Sequence, residues 1–212
     1  MAALDLQEQE QLEALKDWWK DNGNLVLGAL LAFTVAVGGW RGWHYYQDQQ
    51  ARAAVTLYEQ FIQQVDSRDP KRINDAATAM MEKFPSSIYA ARATLMAAQI
   101  NAPGGDVSRA KTQFQWVIDH AAEASLKDVA RLHYATLELD QKNYAGAIKL
   151  LDAQHAAPFD GLYADLKGDV LAAMGKTEEA RAAYKLAYDK VSAGSMYRGL
   201  LEMKIDALGV QP

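Results

Sequence analysis

The sequence predicts an all-α protein in which a single N-terminal transmembrane helix is followed by a solenoid of helical hairpins. Three observations carry this reading. Residues 22–40 hold no charged side chain and are mostly Leu, Val, Ala, Gly and Phe. Downstream, apolar residues recur at helical spacing, alternating β-branched runs are scarce, and only five prolines interrupt 212 residues, half of which are apolar. Finally, a small residue followed four positions later by a large apolar one returns at separations of 37 and then 33 residues.

The first element, residues 1–21, is polar and acidic. Asp5, Glu8, Glu10, Glu13, Asp17 and Asp21 face only Lys16 and Lys20, so most of the formal net charge of -5 sits here and the rest of the chain is close to neutral. No basic patch with interleaved aromatics appears, so the counterion release that drives nucleic-acid binding is missing and nucleic acid is not expected as a partner. The chain has no cysteine, which excludes disulfides, thiolate metal sites, a cysteine nucleophile and a lipidated-cysteine anchor.

The second element, residues 22–46, is read as the membrane span. The 19 charge-free residues from Asn22 to Trp40 reach roughly 28 Å as a helix, close to the hydrocarbon thickness of a bilayer. Trp18 and Trp19 precede the run, and Trp40, Trp43, Tyr45 and Tyr46 follow it. Such rings gather at headgroup depth because part of the ring is apolar and part hydrogen-bonds. A buried core helix would not need two aromatic belts. A cleaved signal peptide would carry a basic flank before the apolar run and small residues after it. Here the flank is acidic, and the nearest small-x-small tripeptide, Ala51-Arg52-Ala53, lies beyond the belt. The segment reads as an uncleaved signal-anchor. Lys16 and Lys20 on one side balance Arg41 and Arg52 on the other, so charge leaves its orientation open. Gly28, Ala32 and Ala36 form a small-residue stripe, and Gly38 with Gly42 forms a GxxxG pair; such faces let a second membrane helix approach closely.

The third element, residues 47–212, is expected to be a tetratricopeptide-like domain. Val55, Tyr58, Phe61, Ile62 and Val65 continue a helix outward from the belt. A second helix is expected from Pro70 with Ile73, Ala77, Met80 and Phe84 on its apolar face, stopping at Pro85. Three second-helix segments then align: Gly105-Asp106 through Ala110 and Phe114, Asn143-Tyr144 through Ala147 and Leu151, and Gly175-Lys176 through Ala180 and Tyr184. Each small residue marks a helix crossing and each large one fills the next layer. The paired first helices are expected over 87–100, 126–139 and 161–174, with Gly168 at the crossing position of the third. They depart from the tetratricopeptide consensus, with Arg131 and Glu138, then Ala164 and Leu171, where Trp and Tyr are expected. A last helix over 195–208, with Met196, Leu200, Met203 and Leu208 on one face, is expected to cap the array.

Catalytic chemistry finds no support. His44, His120, His133 and His155 show no HxxxH or HExxH spacing, so no metal site is expected. Gly104-Gly105-Asp106 lacks GxxxxGK[ST] and reads as an inter-helix turn with Asp106 or Ser108 as cap. No pair of carboxylates is placed in an apolar pocket, and no cofactor is expected. What remains is the groove lined by the first helices, where repeat proteins hold peptide segments. On the repeat frame Arg92, Leu95, Gln99, Val129, Leu132, Thr136, Leu139, Leu162, Asp165 and Asp169 face it. This mixed surface lacks a dense Lys/Arg clamp and suits loose contact with extended chains.

The stretch Leu12-Glu13-Ala14-Leu15-Lys16-Asp17-Trp18-Trp19-Lys20-Asp21-Asn22-Gly23, the span, and Gly39-Trp40-Arg41-Gly42-Trp43-His44-Tyr45-Tyr46 resemble the YfgM-type ancillary subunits of the bacterial SecYEG translocon. The ending Met203-Lys204-Ile205-Asp206-Ala207-Leu208 is similar to theirs as well, so the resemblance spans essentially the whole chain. It implies a single-pass inner-membrane protein with a cytoplasmic N-terminus and a periplasmic repeat domain. It further implies association with SecYEG and the periplasmic chaperone PpiD, contact with membrane lipid, and the handling of translocating polypeptides. A scaffold for another envelope complex is the alternative.

Overall fold

The computed structural model describes residues 2–192 and 194–209, with side chains described from Glu10 onward. The chain is helical throughout, with no strand among the described residues, and divides into two compact units between Ala51 and Arg52.

The first unit is made by helix α1 (Ala2–Asp66) up to that boundary. Its most apolar 18-residue window has a mean hydropathy of 1.6, and only 6% of the window is buried. Leu25, Leu31, Phe33 and Val35 lie 67–74% exposed. A core helix of a soluble domain would bury these side chains, so the helix is built to be covered by something other than its own chain, as a bilayer would do. The aromatic belts are ordered along it, Trp40 edge-on to His44 with ring centroids 4.6 Å apart and Trp43 near Tyr46 at 6.3 Å.

The second unit begins with the last turns of α1, whose buried Phe61 packs among Ile73, Ala77 and Met80. Among the described residues eight further helices follow: α2 (Pro70–Lys83), α3 (Ile88–Asn101), α4 (Val107–His120), α5 (Ala124–Asp140), α6 (Tyr144–Leu151), α7 (Asp160–Ala173), α8 (Thr177–Lys190) and α9 (Tyr197–Ala207), with a 3-10 turn at Ala157–Phe159. Local signals explain the starts. The Asp69 carboxylate accepts from the amides of Lys71 and Arg72 ahead of Pro70, Ser87 accepts from Tyr89, Asp106 from Arg109 and Asn143 from Gly146.

The three hairpins α3–α4, α5–α6 and α7–α8 turn in the same way. Gly105, Lys142 and Gly175 occupy equivalent positions with φ of +88°, +59° and +76°. After each, an amide reaches back five residues: Asp106 to the Asn101 carbonyl (3.1 Å), Asn143 to Glu138 (2.8 Å) and Lys176 to Leu171 (2.9 Å). Ala110, Ala147 and Ala180 are fully buried at the crossings, and Phe114, Leu151 and Tyr184 fill the layers beside them. Gly168 is held to its size, since a Cβ there would lie 2.4 Å from the Tyr184 ring.

In the second repeat, where Arg131 and Glu138 stand in place of the consensus aromatics, each is held in a polar pair. Glu138 receives Lys111 at 2.8 Å and the Asn143 amide at 2.7 Å; Arg131 reaches the buried Asp128 at 2.8 Å. Asp128 Oδ2 also accepts from the Ala156 amide at 3.0 Å, which ties the loop after α6 to α5. Between α2, α3 and α4, the buried amides of Asn74, Asn101 and Gln113 form a closed ring with contacts of 2.7–3.0 Å. All three are at most 5% exposed.

The last helix corrects an expectation. Met196, Leu200 and Met203 point outward rather than onto the array, Met196 being 96% exposed; the docked face is Tyr197, Leu201, Ile205 and Leu208, with Leu201 fully buried. The physical reason is a polar one: rotating α9 this way brings Tyr197 and Lys204 onto the carboxylates of α7.

Candidate partner-binding surfaces

Two surfaces carry the residues that the sequence singled out. In the first unit, Gly28, Gly38 and Gly42 have no atom of the described chain near the position of a Cβ, and Ala32 and Ala36 are exposed along the same helix. No other segment of the unit covers these small residues, so a neighbouring helix has room for close backbone approach.

In the second unit, the first helices α3, α5 and α7 contact one another in succession and present a common face. Arg92, Gln99 and Thr136 are exposed on it, with Leu162 beside them on α7, and Val129, Leu132 and Leu139 are half-buried. Gln99 and His133 Nε2 meet at 2.7 Å and join α3 to α5. Burial holds the His133 pKa below its usual value, which favours the neutral ring that this contact needs.

Three of the expected groove residues are committed elsewhere. Leu95 is buried in the core with Ala91, Ala98 and Phe114, because α3 is sandwiched between neighbours and packs on two faces. Asp165 is buried and Asp169 half-buried, both under α9. Lys204 Nζ lies 2.8 Å from Asp165 Oδ1 and 2.8 and 2.9 Å from the two oxygens of Asp169. The Tyr197 hydroxyl donates to Asp165, and the Tyr184 hydroxyl donates to Asp169 at 2.8 Å. Burial, then hydrogen bonds to these carboxylates and their charges, push both tyrosine hydroxyls far above the ordinary range. Burial works against the Lys204 charge, but the two carboxylates outweigh it and hold its pKa above the usual lysine value. The cluster is an internal lock for α9. The sequence shows Lys204 only as one of two cations on α9, with Arg198, and its role rests on the distant carboxylates of α7.

The histidines are placed structurally. His155 stacks on Tyr163 with ring centroids 3.8 Å apart, and burial with the nearby Asp128 pushes the Tyr163 hydroxyl up to about 12. His120 stacks on Trp116 at 4.7 Å. Among the described residues, no three His, Asp or Glu side chains converge as metal ligands do.

An apolar helix long enough to span a bilayer, followed by alanine-crossed hairpins with a shared turn, defines a membrane-anchored helical-repeat protein of tetratricopeptide type. Residues 16–210 match the family model for a tetratricopeptide repeat-like domain. The chain is 31% identical over 210 residues to an ancillary SecYEG translocon subunit of Neisseria gonorrhoeae, covering 97% of this chain and 99% of that one. It is 28% identical to a protein of the same name from Escherichia coli (96% and 97% covered) and 25% identical to one from Haemophilus influenzae (97% and 100%). No solved structure matches. The chain belongs to the family of ancillary SecYEG translocon subunits, a tetratricopeptide repeat-like family.

Proposed function

We propose that the protein is an ancillary, non-enzymatic subunit of the bacterial Sec translocon, set in the inner membrane with residues 1–21 cytoplasmic, 22–46 spanning the bilayer and 47–212 periplasmic. The observation that carries this reading is the near end-to-end match to relatives named for that role, in a chain whose span leaves its small-residue stripe uncovered. The Gly28, Ala32 and Ala36 face, extended by Gly38 and Gly42, docks beside a translocon helix. The repeat domain scaffolds the chaperone PpiD and assists emerging polypeptides, with Arg92, Gln99, Leu132, Thr136 and Leu139 as the contact face; Leu95, Asp165 and Asp169 act from behind it, as core and as the α9 lock.

Photo-crosslinking tests the assignment. A crosslinking residue at position 32 or 36 is expected to recover a translocon subunit, whereas recovery of lipid and no protein would sink the docking face. A periplasm-dependent reporter fused to the C-terminus is expected to be active, and activity confined to the cytoplasm would reverse the topology.

A further inference from the structure

Away from the contact face on α3 and α5, one crevice of the repeat domain differs from its counterpart in a way that bears on the recognition of a second segment. Between α6, the end of α7 and the start of α8 lies a crevice of about 740 Å³, within the range of ligand-binding clefts. Its floor is apolar, with Ile148, Leu171 and Met174; Lys149, Lys167 and Lys176 stand at its rim together with Asp152 and Glu179.

The counterpart one repeat earlier, between α4 and α5, holds about 430 Å³. On the repeat alignment that superposes Ala110 on Ala147, Trp116 corresponds to Ala153, and on the alignment of the first helices Tyr134 corresponds to Lys167. Trp116, stacked on His120, and Tyr134 line the earlier crevice and fill it. The later crevice is wider through the exchange of Trp116 for Ala153, and Lys149, Lys167 and Lys176 stand where Thr112, Tyr134 and Asn143 do, while Ile148 replaces Lys111 and Asp152 replaces Gln115.

The rim charges are available. Lys149 has no carboxylate within ion-pair distance among the described residues. Lys167 pairs with Asp152 at 2.6 Å and Lys176 with Glu179 at 3.1 Å, but the two carboxylate side chains are 54% and 59% exposed. Exposed pairs of this kind contribute little and yield to a competing carboxylate. The rim holds three ammonium groups against the two exposed carboxylates of Asp152 and Glu179, a net excess of one positive charge with Lys149 uncommitted, and with the apolar floor this fits a polypeptide segment in which an apolar side chain is flanked by Asp or Glu.

We infer that the α6–α7–α8 crevice is a docking site for an acidic, apolar-centred peptide segment of a protein partner. The inference rests on the proposed role of the repeats in protein binding, and it is independent of how the span docks. The full chain in detergent micelles, titrated against a fluorescein-labelled dodecapeptide with a central Leu-Phe pair flanked by Asp and Glu, is the direct test by anisotropy. Saturable binding is expected, weakened about tenfold when the acids are replaced by their amides and again by the double reversal K149E/K176E. M174D, at an exposed position, is expected to abolish it. Circular dichroism should show unchanged folding of these surface variants; if one unfolds, M174S and K149Q replace it. Equal binding of the acidic and amide peptides, or loss of binding through R92E with the crevice variants unaffected, would overturn the inference. Translocon crosslinking from the span would persist in either case, which separates failure here from failure of the proposed function.

Discussion

Small residues do opposite things in the two units. In the repeats, Ala110, Ala147 and Ala180 are fully buried, and the space beside each is already taken by a helix of the same chain. In the span, Gly28, Ala32 and Ala36 have the same compact side chains, yet are exposed within the unit. Small side chains permit close helix approach in both settings. In one unit the approach has been made, and in the other it has not been made within the unit.

Substitution separates the two cases. Ala180→Leu forces a branched side chain into a filled crossing and is expected to destabilise the repeat domain by about 3 kcal/mol, measured by urea unfolding. Leu201→Ala is expected to cost a similar amount, about 2–5 kcal/mol, whereas Met203→Ala on the opposite face of α9 costs under about 0.5 kcal/mol. A larger effect of Met203→Ala than of Leu201→Ala would mean that α9 docks by the other face. Asn101→Ala strips the buried amide ring of its central member and leaves Asn74 and Gln113 underbonded, an expected loss of about 2 kcal/mol.

Smaller effects follow. Lys142 holds the positive φ that glycine holds in the sister hairpins, so Lys142→Gly should raise stability by roughly 0.5–1 kcal/mol despite the usual cost of glycine. The α9 lock should loosen in alkali. The unfolded tyrosines ionise near pH 10 while Tyr184 and Tyr197 resist ionisation when folded, and the Lys204 contribution fades as pH rises through its raised folded value. Hydrogen exchange in α9 is thus expected to accelerate above about pH 10. At the bottom of the scale, Ala32→Leu should leave urea unfolding of the repeats unchanged while weakening crosslinking from the span.

The span and the three hairpins were legible because each depends on short-range pattern: a charge-free run, an alanine four residues before a large side chain and, in two of the three turns, a glycine. Helix α9 was placed along the chain within two residues, but its orientation was not. It carries two apolar stripes, Tyr197/Leu201/Leu208 and Met196/Leu200/Met203, roughly 100° apart on the helix, and periodicity cannot choose between them. The choice is made by Asp165 and Asp169, 35–39 residues away from Lys204 in sequence. The same distance hid the fate of those aspartates, which register alone assigned to an open groove. Leu95 was misplaced because α3 is enclosed on two faces, a property of its neighbours and not of its own sequence.

The amide ring of Asn74, Asn101 and Gln113 joins helices without a single ionisable atom. Acid, alkali and salt therefore leave it alone, while the Lys204 cluster that fastens α9 gives way as alkali removes the lysine charge. The ring is thus a joint between α2, α3 and α4 that is indifferent to pH, whereas the fastening of α9 is tied to the charge state of its surroundings.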